Sequence, residues 1–358
     1  MAVTYGVISD AHAAPLEYFD LAAQVLKKEG IDALILNGDI VGNQVSSNPQ
    51  EYLVGALSNL IKHLNVPILY NPGNWEQFHL TNPVLEHVGK HYNVQNTAAS
   101  QVADVADHRL IFVPGGDLRA NNADKWGYSL EFGKNETSIY ENEGKYISVF
   151  NANDLFNMVK DPNNTLVFSH VPSRFDGTDK TDSVHQWIIP EPYFKDEVKY
   201  AGGIRDIKYY PANGRSSLLY KPGRIISESL HKKQKPGITT DPELAKALIE
   251  GGINTIEQRN VGTQELGDIL NKIGIEKVVS GHIHPAAGNA HDKEGNAIEE
   301  GVFGKQLFYN ASFLDHLKVG MVSMEGGAAA YERIDLSQHL DVKPSSASRA
   351  NSSGIILI

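Results

Sequence analysis

Five short segments each end a strand-like apolar run with side chains able to ligate a metal. They are Asp10-Ala11-His12, Gly38-Asp39, Gly73-Asn74, Ser169-His170 and Gly281-His282-Ile283-His284, and they supply two aspartates, one asparagine and four histidines. Asp10 and His12 stand two residues apart, so both side chains can face one side of a strand's mouth. Gly-His-x-His likewise puts His282 and His284 on one face of an extended segment, and neutral imidazole is a common metal ligand. Alone, each segment has a plainer reading: a solvated histidine at 12, a turn or helix-capping aspartate at 39, a turn asparagine at 74, a satisfied buried histidine at 170. Together, and in this order, they point to a two-metal hydrolytic centre. Nitrogen and oxygen ligands without thiolate suit manganese, iron, zinc or nickel rather than a structural zinc site. A single aspartate between two three-residue ligand sets can bridge two ions about 3.5–4 Å apart.

The elements that must position these residues are legible from apolar periodicity. The first half alternates strand and helix: strands over 3–9, 33–37, 67–70, 110–113 and 166–168, and helices over 15–29, where Gly30 stops the pattern, and 48–64. This alternation predicts βαβ units with helices on both faces of a sheet and ligands at the C-terminal strand ends, where an open α/β sheet places its site. After His170 the texture changes, and residues 172 to about 235 are rich in Pro, Gly, Tyr and charge. Patterning returns with helices over 241–249 and 264–273 and strands over 277–280, 306–310, 319–324 and 328–334. Residues 1–340 read as one domain carrying an inserted cap at 172–262, and 341–358 as a flexible tail. Gly115-Gly116 reads as a turn, and Asn310-Ala311-Ser312 as a strand-to-loop transition near the site rather than a glycan acceptor.

Bulk properties narrow the class. At 358 residues the chain can bury a large core. A net charge of −11 argues against broad non-specific binding to nucleic acid or anionic lipid. With no cysteine there is no disulfide framework, thiolate nucleophile or zinc–thiolate site. No apolar run approaches the ~18 residues of a membrane span, and no signal-peptide layout opens the chain, so the expected location is cytoplasmic.

The ordered motifs resemble those of calcineurin-like metallophosphoesterases, D-x-H, G-D-x-x-G, G-N-H-[DE], a lone histidine after a strand, and G-H-x-H. Here they stand as Asp10-Ala11-His12, Gly38-Asp39-Ile40-Val41-Gly42, Gly73-Asn74-Trp75-Glu76, Ser169-His170 and Gly281-His282-Ile283-His284, covering about residues 1–170 and 275–335. The resemblance implies two mixed β-sheets packed as a sandwich flanked by helices. It assigns Asp10, His12 and His284 to one ion, Asn74, His170 and His282 to the other, and Asp39 to both. It also implies two divalent ions, manganese first, with Asp39, Asn74 and His282 in the catalytic set. A hydroxide held between the ions would attack phosphorus in line.

One position departs from the pattern. Trp75 replaces the motif's histidine, and an indole cannot deliver a proton at neutral pH. General acid catalysis is typically worth ~10²–10⁴-fold, so poor leaving groups should suffer most. Three readings follow: a metal-reliant site that prefers phosphodiesters or phosphoanhydrides; a phosphomonoesterase or nucleotidase whose acid comes from elsewhere, His79 or His185; or a metal-binding scaffold with little turnover. The irregular stretch 193–235 holds ten Lys/Arg against four acids, interleaved with five tyrosines. It reads either as a solvated loop or as a cap in which Arg174, Arg205 and Arg215, with Trp75, contact a phosphorylated small molecule or nucleotide. Nucleic acid could bind only through that basic, tyrosine-rich stretch. Oligomeric state is not legible.

Overall fold

The computed structural model describes every residue except 1, 43–47, 118–126, 134–136, 143–144, 177, 179–180, 188–206, 210–217, 222–223, 226–236, 240–254, 261, 312–313 and 341–358. Arg205, Arg215, the expected helix over 241–249 and the expected C-terminal tail therefore lie outside the described residues, as does most of the segment 172–262 expected to be an insertion.

Two six-stranded sheets form the frame. In the first, the strand order is Ala328–Asp335, Lys318–Glu325, Val3–Ile8, Ala33–Asn37, Ile68–Asn71, Val94–Asn96. Its last four strands run parallel, and Lys318–Glu325 joins antiparallel to Val3–Ile8. In the second, the order is Ala290–His291, Leu307–Asn310, Lys277–Ser280, Thr165–Ser169, His108–Val113, Val102–Val105. The central four strands are parallel and both edges antiparallel. Both sheets are thus mixed.

Side-chain alternation explains how they stack. Side chains of successive strand residues point to opposite faces. Ala33 and Ile35 enter a core shared with Phe112 and Phe168 of the second sheet, whereas Leu34 and Leu36 join the opposite core under the helices. Phe112 and Phe168 stack with ring centroids 5.6 Å apart, and both are fully buried. Truncating either to alanine should cost about 3–5 kcal/mol. The sequence pattern suggests helices on both faces of one sheet. Instead, among the described residues each sheet carries its helices on the outer face, and the inner faces pack together.

Helices Leu16–Glu29, Pro49–His63 and Phe78–Gly89 cover the first sheet, and Gln264–Ile273 covers the second. Gly30 closes the first helix at φ 72°. The Asn48 side chain accepts the Glu51 N–H at 3.2 Å, an N-cap followed by proline at the first helical position. A four-stranded sheet (Gly116–Asp117, Tyr128–Glu131, Lys145–Asn151, Ser138–Asn142) lies beyond the second large sheet, and the periodicity does not indicate it. Leu130 and Phe150 from this sheet share that outer core with Leu266 and Leu270. Among the described residues no helix is long and apolar enough to cross a membrane.

Candidate metal centre

All five motif segments follow the C-terminal ends of parallel strands. Three leave the first sheet and two leave the second, so the site straddles the facing edges of both sheets rather than one sheet's rim. Buried asparagines stitch those edges together. The Asn71 amide donates to Asn37 Oδ1 at 2.9 Å, and Asn37 in turn donates to the Ser169 carbonyl across the sandwich at 3.1 Å.

The ligand-type side chains gather into two groups, Asp10/His12/His284 and Asp39/His170/His282. In the first, His12 Nε2 and His284 Nε2 are 2.9 Å apart, and Asp10 Oδ1 lies 3.7 and 3.4 Å from them. In the second, Asp39 Oδ2 lies 3.3 Å from His170 Nε2, and Asn74 Oδ1 lies 2.9 Å from the same nitrogen. The two groups meet at Asp39, whose Oδ2 also stands 3.9 Å from His12 Nε2. The second group is sealed from solvent at Asp39 and His170, with side-chain exposures of 1% and 0%, whereas His12 and His284 keep 27% and 25%. The first group is thus the more open of the two.

Outer contacts orient several of the candidate ligands. His170 Nδ1 donates to the Asn37 carbonyl at 3.1 Å, which leaves Nε2 facing the centre. Asp10 accepts from the Ser9 hydroxyl and from the His282 backbone N–H at 2.9 Å. Asp39 Oδ1 accepts the Trp75 N–H at 2.9 Å. Glu76, wholly buried, holds two ligand loops at once. Its Oε2 accepts from Asp39 and Gly73 N–H (3.0 and 2.7 Å), and its Oε1 from Ile40 and Val41 N–H and the Tyr70 hydroxyl (2.6, 3.2 and 3.1 Å). Sequence reasoning places Glu76 within a motif but gives it no role; a carboxylate beside a glycine turn is the available signal.

The backbone is strained where the ligands sit. Among the described residues eight non-glycine residues have positive φ, and Asp10 (52°), His12 (43°), Asp39 (52°) and His282 (71°) are four of them. Such strain clusters at functional sites because the surroundings over-determine it. Close approach is equally local. A Cβ on Gly38 would fall 2.2 Å from His170 Nδ1, and one on Gly281 would fall 2.3 Å from Ser9 Oγ.

Electrostatically the centre demands positive charge. Burial opposes a charged imidazole at His12 and His170. The aspartates nevertheless raise His12 above its ordinary value, and Asp39 and Asp10 lift His170 to about 9. Burial and the neighbouring His170 push His282 down to about 4. A field that retains protons on imidazoles also attracts a metal cation, which competes with those protons. Asp39 Oδ2 supports the same fit, since it is buried and accepts no hydrogen bond among the described residues. A buried carboxylate oxygen without a hydrogen bond is costly unless a cation faces it, a place that protonated His170, 3.3 Å away, or a metal ion can fill.

The remaining predicted residues are distributed differently. Trp75 is half-buried, its indole edge-on to the His12 ring with centroids 6.3 Å apart. Position 75 thus keeps its backbone contact to Asp39 while presenting an aromatic wall to the first group. Arg174 lies on the segment leaving His170, its backbone N–H bonded to the Thr263 carbonyl at 3.1 Å. His79 opens the helix Phe78–Gly89, and His185 falls in the strand Ser183–Trp187. Gly115 turns at φ 79°, as expected, and a Cβ on Gly116 would meet the Asn74 side chain at 2.7 Å, so this turn shapes the Asn74 loop.

A known structure shares this fold. A Thermus thermophilus protein of known structure, TT1561, aligns over 94% of this chain and 100% of its own at 8% identity, with a TM-score of 0.50, a likeness of fold. A dimetal phosphatase from Danio rerio aligns over 93% of this chain and 99% of its own at 11% identity, with a TM-score of 0.38. No curated protein sequence matches significantly. The family model for calcineurin-like phosphoesterases matches residues 3–286, which include all five motif segments, and the chain belongs to the calcineurin-like phosphoesterase family.

Proposed function

We propose that this protein is a two-metal phosphoesterase that prefers phosphodiesters or phosphoanhydrides of small molecules or nucleotides. The observation that carries the reading is Asp39, whose Oδ2 faces both His12 and His170 without a hydrogen-bond donor of its own among the described residues. Asp10, His12 and His284 would hold one ion, Asn74, His170 and His282 the other, and Asp39 both, with manganese the first expectation and iron, zinc or nickel the next. Two divalent ions, when bound, supply Lewis-acid polarisation of phosphate and an activated water at neutral pH.

The chain's own groups do the rest. The exposed faces of His12 and His284 direct the ester to the first group. The Asn37 carbonyl and Glu76 hold His170 and the Asp39 loop in register, which keeps reacting groups aligned. Trp75 stands beside His12 and donates no proton, so leaving groups must depart with little acid assistance. That favours stabilised leaving groups and supports diesters and anhydrides over alkyl monoesters. The segment 172–262, with Arg174, Arg205 and Arg215, is assigned to a cap that grips phosphate.

The test compares Mn²⁺-reconstituted protein on bis-p-nitrophenyl phosphate and p-nitrophenyl phosphate, with Asp39→Ala as control. A faster diester rate, lost in the variant, is expected. A faster monoester rate would reassign the protein to the monoesterases, and stoichiometric metal with no turnover would make it a scaffold.

A further inference from the structure

A buried polar chain ties the inserted segment to the loop carrying two of the candidate ligands. Asn310 ends the strand Leu307–Asn310 at the same edge of the second sheet as the metal groups. Its side-chain amide donates to Asp182 Oδ1 at 2.8 Å and to the Ile283 carbonyl at 3.1 Å. A carboxylate and a carbonyl only accept, so the amide's NH₂ end must face them. Ile283 lies between His282 and His284, and its carbonyl sets the plane of the peptide bond that leads into His284.

Asp182 is itself held on several sides. It is buried, adopts φ 41°, and directs its other oxygen toward His291 Nε2 at 3.6 Å. His291 Nδ1 donates to the Asp292 carbonyl at 2.6 Å, and its ring stacks on Phe308. Asp182 also immediately precedes the strand Ser183–Trp187, which pairs antiparallel with Thr255–Asn260 and runs beside the turn His284–Ala286. At the same place the Asn260 amide donates to the Thr178 carbonyl at 2.8 Å and to Thr181 Oγ1 at 3.1 Å, closing the two ends of the insertion on each other. A carboxylate needed only for solubility would not be buried, backbone-strained and aimed at an amide that holds a ligand loop.

We infer that Asp182 is a positioning residue for the metal centre: through Asn310 it fixes the Ile283 carbonyl, and with it the relative placement of His282 and His284, and it couples that placement to the base of the inserted segment. The inference rests on reading those two histidines as ligands. Outer-shell partners of metal ligands typically matter by 10–100-fold in metal affinity.

The experiment titrates the metal-free full chain with Co²⁺, following affinity and visible d–d absorption, in the parent, Asp182→Ala, Asp182→Asn and Asn310→Asp. Asp182→Ala is expected to weaken Co²⁺ binding about 10-fold or more and to alter the absorption envelope. Asp182→Asn, which can still accept from Asn310, is expected to restore both; failure to do so would overturn the hydrogen-bond route. If Asp182→Ala does not fold, Asn310→Asp takes its place, because it puts an acceptor against the Ile283 carbonyl in a side chain of the same shape. Parent-like affinity and spectrum in a folded Asp182→Ala or Asn310→Asp protein, even with a lower Tm, would overturn the inference. A parent that binds no Co²⁺ would instead sink the ligand assignment beneath it, and a parent that binds Co²⁺ but hydrolyses nothing would sink only the proposed activity.

Discussion

Replacing Gly38 with alanine tests how tightly the buried half of the centre is built. Gly38 has φ 90°, a region where an L side chain is strained at a cost of order 1–3 kcal/mol. The new methyl would fall 2.2 Å from His170 Nδ1 and 2.8 Å from Gly73 Cα, so the imidazole or the Gly73 loop must move. Overpacking of this kind costs about 1–3 kcal/mol. A shifted ring also loses the 3.1 Å hydrogen bond to the Asn37 carbonyl, worth about 1 kcal/mol. All three effects act in one direction, which gives a loss of about 3–7 kcal/mol, a large part of a typical domain's 5–15 kcal/mol. Urea denaturation of the metal-free chain should show a lower midpoint at unchanged slope. Calorimetric Mn²⁺ titration of the folded variant should show affinity reduced about 10–100-fold, because His170 no longer presents Nε2 at the same place. Stability within about 1 kcal/mol of the parent, together with unchanged Mn²⁺ affinity, would refute the claim that residue 38 and His170 share that space.

Other outcomes follow from the same contacts. Trp75→His restores a group able to transfer a proton beside His12, and turnover of an alkyl phosphate should rise about 10²-fold relative to p-nitrophenyl phosphate; equal changes on both substrates would show that leaving-group protonation does not limit the parent. Burial disfavours charge on His291, yet the Asp182 carboxylate raises its pKa above the ordinary histidine value of about 6.5. Its stabilising contribution is therefore full below about pH 6.5 and is lost as pH rises through the raised pKa, so the stability difference between parent and His291→Gln should shrink with rising pH. A difference that grows with pH in denaturation series would contradict that sign. Mn²⁺ affinity of the parent should fall as pH is lowered, because protons on His12 and His170 compete with the ion; a flat dependence between about pH 8 and 6 in calorimetry would remove the electrostatic argument.

Much of the frame is legible because its strands are short, continuously apolar and bounded by helix-stopping residues. The periodicity recovers Ala33–Asn37, Lys277–Ser280 and Gln264–Ile273 to the residue, since burial on both faces or a strong apolar stripe leaves little ambiguity. It misses the helix Phe78–Gly89, which carries Pro83 within its span. It misses the four-stranded outer sheet because those strands are short and only partly apolar.

The one-dimensional order of Asp10, His12, Asp39, Asn74, His170, His282 and His284 is enough to identify the phosphoesterase family, because residue type and strand-end position are local properties. It cannot say that two sheets, not one, present those residues. Nor can it say that Asp39 faces both groups, that Glu76 binds two loops with five donors, or that Asp182 reaches Asn310 across 128 positions of chain. Those contacts join residues far apart in sequence, and nothing in local propensity encodes them. They exist only once the inner faces of the two sheets have packed and brought the ligand loops edge to edge.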